Sequence, residues 1–286
     1  MANFTYKSLI SAALPVLAIL FLGAVLFYKG VLGEISALSA VKEAQREKTF
    51  VSISPAMTEI MYAIGADSAL LAVSNYCSYP DGAKEKEKIG SNYALNEEKI
   101  LKLKPDYILA LDISEALVAK FRRFKIEPLC FKYPDIESIH KNILQVGKLT
   151  GHTKEAKELV KNSKQRIAAA KKKAADEGKG GKKVLYLVQT GPMITVGKKS
   201  FITDIIEKSG NYSVTAGLNS FYPVILEEYA IKLKPDVVVL GAYTDENEAR
   251  RYFPKTKIVK MTTDENDIIN RPGPRVYKSV EFFSRI

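Results

Sequence analysis

Two loops carry aromatic side chains that would suit a ligand pocket. The first, Asn75–Asn96, holds Tyr76, Cys77, Tyr79, Pro80, Asn92 and Tyr93; the second, Asn219–Pro223, holds Phe221 and Tyr222. A tyrosine offers an apolar face for stacking and a hydroxyl that hydrogen-bonds or, once deprotonated, ligates iron. The plainer reading of Tyr76, Tyr93 and Tyr222 is loop aromatics packing on their own lobe. Paired acids are the other candidates. Glu97-Glu98 and Glu227-Glu228 have the chemistry for general acid–base work, yet at the start of a helix the same residues simply complement its dipole.

Catalytic constellations do not accompany them. GxSxG, Walker A, HExxH and GxGxxG patterns are missing, and Cys77 is the obvious nucleophile candidate. Asp264, Glu265 and Asp267 read as a solvated loop. Cys77 and Cys130 lack CxxC spacing, which excludes a disulfide scaffold and the usual thiolate zinc site. They read as two separate thiols, with one disulfide between them left open. His140 and His152 are too few for a His-rich metal cage, and no metal site or cofactor is expected.

The elements that position these residues appear as a duplication. Glu97–Leu111 reads EEKILKLKPDYILAL and Glu227–Gly241 reads EEYAIKLKPDVVVLG, an offset of 130 with seven of the first ten residues identical. The same offset carries Ile126–Phe131 onto Thr256–Met261. Each copy predicts a short helix, a Lys-Pro-Asp break, an apolar strand, a charged helix and a further strand. A period this long excludes a solenoid and implies two copies of one α/β lobe. One acidic spot on each lobe then suits two matching basic spots on a twofold partner.

Between the copies lies Thr153–Asp176, without Pro or Gly. Its apolar residues Ala156, Leu159, Val160, Ile167, Ala170 and Ala174 fall on one helical face. Thr153 is the expected N-cap and Gly178 the expected stop. At 1.5 Å per residue this rod would be about 36 Å long, the width of a small domain. Strands at Phe50–Ile53, Leu70–Ser74, Asp106–Leu111 and Glu127–Phe131 build the first lobe. Strands at Lys183–Gln189, Ile194–Val196, Asp236–Leu240 and Lys257–Met261 build the second. Strands alternating with helices predict mostly parallel sheets, whose ligands bind at the carboxyl ends. The aromatic loops lie there in both lobes and would line a cleft between them.

The N-terminus adds a membrane element. Ser8–Tyr28 has no charge over 21 residues, long enough to span a bilayer, and reads as an uncleaved signal-anchor with a cleaved signal peptide as the rival. The expected division is an anchor over 1–30, a tether over 31–48, a first lobe over 49–135, connecting helices over 136–181 and a second lobe over 182–286. Net charge is +11. The lysines are dispersed along helices with no nucleic-acid-reading motif, so a solvated surface, able to lie beside anionic lipid, is expected and nucleic acid is not.

The segments VSISPAMTEIMYAIGA, VSNYCSYPDGAKEKEKIG, NEEKILKLKPDYILAL and RPGPRVYKSVEFF, with the long helix between the last two, resemble the helical-backbone substrate-binding proteins of ABC importers. The similarity runs from about Thr49 to the C-terminus, and the nearest branch binds cobalamin, ferric siderophores or haem. The resemblance implies two lobes on a rigid helix, a metal chelate in the cleft, a monomer outside the cytoplasm and no enzymatic activity. It also implies docking of one glutamate per lobe onto arginines of the two permease subunits. Glu98 and Glu228, each seven residues before the Pro of its repeat, match those glutamates. Tyr76 matches an aromatic that flanks the corrin ring, and Tyr222 the bulky aromatic of the opposite lobe. A first-lobe tryptophan of the cobalamin binders falls at Asn92, and this chain has no Trp. Tyr93 is the substitute beside it, and a tyrosinate would equally serve haem iron. Cys77 and Phe221 complete the expected ligand-binding set. The competing functions are a membrane-anchored sensory or interaction domain and a chelate-processing enzyme on the same fold.

Overall fold

The structure, a computed structural model, describes residues 46–91 and 94–286 together with Tyr28. The expected membrane segment Ser8–Tyr28 and the tether therefore lie almost wholly outside the described residues. Among the described residues no helix is long and apolar enough to cross a membrane. Lys48–Ile286 clusters as one compact unit.

Within that unit the first lobe runs β1 (Phe50–Ser52), α1 (Pro55–Ala63), β2 (Leu70–Val73), α2 (Gly82–Glu85), β3 (Glu87–Lys88), β4 (Gly90–Ser91), β5 (Ala94–Leu95), α3 (Glu97–Leu103), β6 (Tyr107–Ala110), α4 (Glu115–Arg123) and β7 (Glu127–Cys130). Helices α5 (Ile136–Leu149) and α6 (Thr153–Asp176) follow. The second lobe runs β8 (Lys183–Gln189), β9 (Ile194–Thr195), α7 (Phe201–Lys208), β10 (Tyr212–Ser213), α8 (Glu227–Lys232), β11 (Val237–Leu240), α9 (Glu246–Tyr252), β12 (Lys257–Lys260), α10 (Thr263–Asn270) and α11 (Val276–Phe283).

Both sheets are parallel in their main ladders. Strand order is β3-β2-β1-β6-β7 in the first and β10-β8-β11-β12 in the second, with β9 added antiparallel to β8. The duplication is exact in register: Phe50 pairs with Tyr107, and Val184 pairs with Val237, its counterpart 130 residues on. The shared Leu-Lys-Pro-Asp has a structural purpose in each lobe. Lys104 and Lys234 both take left-handed backbone (φ 48° and 47°) to end the preceding helix. Two residues later, Asp106 Oδ2 accepts the Thr49 N–H at 2.8 Å, and Asp236 Oδ2 accepts the Lys183 N–H at 2.8 Å. Each aspartate thereby ties the entry of the repeat's strand to the entry of its lobe's central strand.

Alternation along the strands divides the core. Phe50, Leu109, Val184, Tyr186, Val237 and Val239 face a core shared by both lobes, while Val51, Ile108, Leu185 and Val238 face separate cores on the far sides. Helix α6 lays Ala156, Val160, Ser163 and Ala174 into its buried seam and packs on α5 and on α11. It thus braces the second lobe against the connection leaving the first. A Cβ on Gly147 would stand 2.4 Å from Ala156 Cβ, so the α5–α6 contact requires glycine there. One continuous core and one unbroken rod leave the halves little freedom to part.

Two local expectations are corrected. His152, not Thr153, is the N-cap of α6, and Thr153 is its first helical residue. Asp264, Glu265 and Asp267 belong to helix α10, which opens on a capping box: Thr262 Oγ1 accepts the Glu265 N–H at 3.2 Å, and Glu265 Oε2 accepts the Thr262 N–H at 2.9 Å. The Thr-x-x-Glu signature was present and outweighs the local density of acids.

Candidate functional site

The loops that follow the carboxyl ends of the parallel strands bring a few groups of the two lobes together. From the first lobe, β6 leads into Asp112, and β7 ends at the exposed Cys130 with Tyr133 three residues beyond. The Cys130 thiol donates to the Leu111 carbonyl at 3.2 Å. From the second lobe come the Ser200 cap of α7 and the loop holding Phe221 and Tyr222. Tyr133 stands edge-on to Phe201, with ring centroids 5.8 Å apart, so the two lobes already touch here through aromatic groups.

Electrostatics place three phenols in one neighbourhood. Burial raises the Tyr133 pKa, and negative charge on Tyr222, Asp112 or Cys130 would raise it further. Burial likewise raises Tyr222, with the Ser200 hydroxyl pulling the other way. Tyr186 is pushed well above the ordinary tyrosine value by burial, with Tyr222 adding to the shift and Asn270 opposing it. Its hydroxyl and the Asn270 amide lie within 3.1–3.3 Å. Tyr133 of the first lobe and Tyr222 of the second therefore share one environment, with Tyr186 behind them. Tyr186 is fully buried, whereas Tyr133 is half-buried and Tyr222 is 45% exposed on its loop, open to a ligand.

A second contact joins the lobes. Glu59, on α1, is buried and accepts Arg275 Nε at 2.8 Å, Arg275 Nη2 at 2.7 Å and Arg271 Nη1 at 3.1 Å. The Arg275 guanidinium also lies 4.0 Å from the centroid of the Tyr79 ring, a cation–π stack that fixes Tyr79 at the seam. Asp267 steadies Arg271 from the other side at 2.6 Å. Gly273, between the arginines, lets its loop come against Ala56.

Of the residues expected from sequence, Tyr222 joins this cluster. Tyr76 and Phe221 are exposed on their loops, and Tyr76 has no ring partner among the described residues. Asn92 and Tyr93 lie outside the described residues. Cys77 does not join the cluster: it is 1% exposed, packed in the shared core, with Thr58 Oγ1 at 3.1 Å and Ser74 Oγ at 3.2 Å. Both cysteines are free thiols. In the acidic pairs the first glutamate of each is half-buried and the second is exposed. Glu97 pairs with Lys120 of its own lobe, and Glu98 pairs, among the described residues, with the solvent-exposed Lys102 at 2.7 Å. Glu98 and Glu228 thus project at equivalent places on the two lobes.

Sequence reasoning passed over Tyr133, Tyr186, Glu59 and Arg275. Glu59 did leave a signal, a lone acid inside the apolar run Pro55–Ala63, and so did the arginines that bracket Pro272-Gly273-Pro274. Tyr133 left none, because its place depends on the lobes meeting.

Comparison with known proteins agrees with this geometry. The chain is 26% identical over 238 residues to the vitamin B12-binding protein of Vibrio vulnificus strain YJ016, covering 81% of this chain and 86% of that protein. It is 28% identical over 246 residues to the uncharacterized ABC transporter substrate-binding lipoprotein YvrC of Bacillus subtilis strain 168, covering 82% and 78%. The crystal structure of the periplasmic vitamin B12-binding protein BtuF of Vibrio cholerae superposes with a TM-score of 0.70 at 24% identity, over 83% of this chain and 95% of that one, a likeness of fold. The family model described as periplasmic binding protein matches residues 50–264. That match spans most of the chain, and the chain belongs to the periplasmic binding protein family.

Proposed function

We propose that this protein is an extracytoplasmic receptor that captures a metal chelate (a corrinoid such as cobalamin, haem or a ferric siderophore) between its lobes. It then delivers the chelate to the permease dimer of an ABC importer. The carrying observation is that aromatic groups of opposite lobes, Tyr133 and Phe201, meet edge to face at 5.8 Å, with the half-exposed Tyr222 near enough for its charge to act on Tyr133. Such a site has apolar ring faces for a flat macrocycle and hydroxyls able to become hard oxygen ligands for a ferric centre. Tyr76 and Phe221 serve as outer contacts of the same cleft, with Asn92 and Tyr93 as further ligand-binding residues. Cys77 acts from behind as a packing group. Its burial speaks against Cys77 as the nucleophile of a chelate-processing enzyme. Glu98 and Glu228 meet basic residues of the two permease subunits, and an N-terminal apolar segment keeps the receptor at the membrane.

The test is thermal unfolding of the full chain with cyanocobalamin, haemin and ferric siderophores added separately. A ligand present at about 1,000 times its dissociation constant raises the apparent stability by about 4 kcal/mol. Tyr133→Phe and Tyr222→Phe should shrink the shift, and with a ferric ligand they should remove any iron–phenolate absorption band. Indifference of the unfolding curve to all three chelates would refute capture.

A further inference from the structure

The two copies of the repeat present different surfaces around their exposed glutamates, and the difference is systematic. In the first lobe Ala94, Asn96, Lys99 and Leu101 surround Glu98; at the same offset the second lobe has Val224, Leu226, Tyr229 and Ile231 around Glu228. Lys99 is tied into its own lobe, to Glu87 at 3.0 Å and the Lys88 carbonyl at 2.9 Å, and Leu101 is half-buried. The four second-lobe residues are 64%, 70%, 41% and 45% exposed.

They form one patch. Residues 223–225 lie extended against β9, with Ile225 turned inward and bonded through its N–H to the Met193 carbonyl at 3.0 Å. Val224 and Leu226 therefore point the same way, outward. Tyr229 and Ile231, two residues apart on α8, fall on opposite flanks of its exposed face with Glu228 between them.

Leu226 also breaks a local rule that its twin obeys. Asn96 caps α3 through Oδ1, which accepts the Lys99 N–H at 3.0 Å. Leu226 occupies the equivalent N-cap of α8 and supplies no side-chain bond, and leucine is among the poorest residues there. An uncapped helix start that exposes a leucine is a local loss with no return inside the lobe, the kind of violation that marks a contact surface.

We infer that the second lobe is the receptor's anchor on the importer. It docks through an apolar collar of Val224, Leu226, Tyr229 and Ile231 around Glu228, onto a permease subunit that offers a cation set in apolar surroundings. The first lobe docks through the Glu98 charge alone. This deepens the receptor reading above and rests on it. An apolar collar excludes water around the Glu228 pair and strengthens it, while the bare Glu98 contact stays screened. The two halves of a twofold partner are thus held unequally, the first-lobe contact releasing before the second.

The test returns first-lobe residues to the second lobe, as Leu226→Asn and, separately, Tyr229→Lys in the full chain. Cells producing each variant beside the importer are assayed for uptake of cyanocobalamin and haemin, and the purified proteins for melting temperature and ligand-induced shift. Leu226→Asn should melt about 2–4 °C higher through the restored cap, keep its ligand-induced shift, and lose uptake several-fold. Tyr229→Lys should lose uptake with the same ligand response. Glu98→Ala should cost less uptake than Glu228→Ala. Normal uptake by Leu226→Asn and Tyr229→Lys while Glu228→Ala fails would overturn the apolar anchor and leave the receptor reading standing. Normal uptake by all of them, Glu98→Ala and Glu228→Ala included, would overturn both.

Discussion

Replacing Glu59 with alanine should be among the most damaging single changes in this protein. The carboxylate accepts three hydrogen bonds, two from Arg275 and one from Arg271, and it and Arg275 are both buried. A buried ion pair adds little net stability when formed, because desolvation offsets attraction, but removing one partner strands the other charge and costs about 3–5 kcal/mol. For a folded unit of this size each kcal/mol moves the melting temperature by roughly 2–4 °C, so Glu59→Ala should melt roughly 6–20 °C lower. Urea denaturation of the wild type, Glu59→Ala, Glu59→Leu, Arg275→Leu and Glu59→Leu/Arg275→Leu separates the stranded charge from lost packing, the leucine variants closing the cycle. The double variant should recover most of what Glu59→Ala loses, with a coupling energy of at least 2 kcal/mol. A loss below 1 kcal/mol in Glu59→Ala, or additive losses in the cycle, would refute the view that this contact locks the lobes together. The same variant should disturb the site, since Arg275 would no longer be held over Tyr79.

Other consequences follow from the repeat and from titration. Lys104→Gly and Lys234→Gly should each stabilise the fold by about 0.5–1 kcal/mol, because both lysines sit in left-handed backbone that glycine adopts without penalty; chemical denaturation of the two single variants checks this. Burial depresses the His140 pKa below its ordinary 6.5, with Glu137 partly opposing and Lys164 assisting. The unfolded chain therefore takes up this proton first, so stability falls as pH drops through 6.5 toward the folded value, by at most about 1.4 kcal/mol per pH unit. His140 Nδ1 has no hydrogen-bond partner and Nε2 meets Ser163 Oγ at 3.0 Å, so His140→Gln should flatten unfolding free energy measured between pH 5 and 6.5. At the alkaline end the raised Tyr133, Tyr186 and Tyr222 act with the opposite slope. Their contribution is intact below pH 10 and fades as pH rises beyond it, and Tyr186→Phe should blunt that decline.

What could be read from the chain follows the distance over which each feature is determined. Helices α5, α6 and α7 end where periodicity and capping residues place them, because a helix start such as Asp135 with the Ser138 N–H at 2.7 Å is settled within one turn. The duplicated Glu-Glu and Lys-Pro-Asp segments fixed the two-lobe plan, since an identical bond from Asp106 and Asp236 recurs at each lobe's first strand. The short strands β3, β4, β5 and β10 have two residues each, too few for any alternation to register; β3 and β10 exist because the longer β2 and β8 supply the ladder, and β4 and β5 pair with each other. The site was legible only on the side that local pattern controls. Tyr222 stood out in an aromatic loop, but its partner Tyr133 lies in a segment, Phe131–Asp135, that owes its position to β7 on one side and Phe201 on the other. Cys77 shows the reverse error: a thiol between two tyrosines looks like a binding group, yet strand β2 turns so that Thr58 and Ser74 enclose it. A cleft between lobes is a product of tertiary contact, so the residues nearest its centre are those whose sequence surroundings say least.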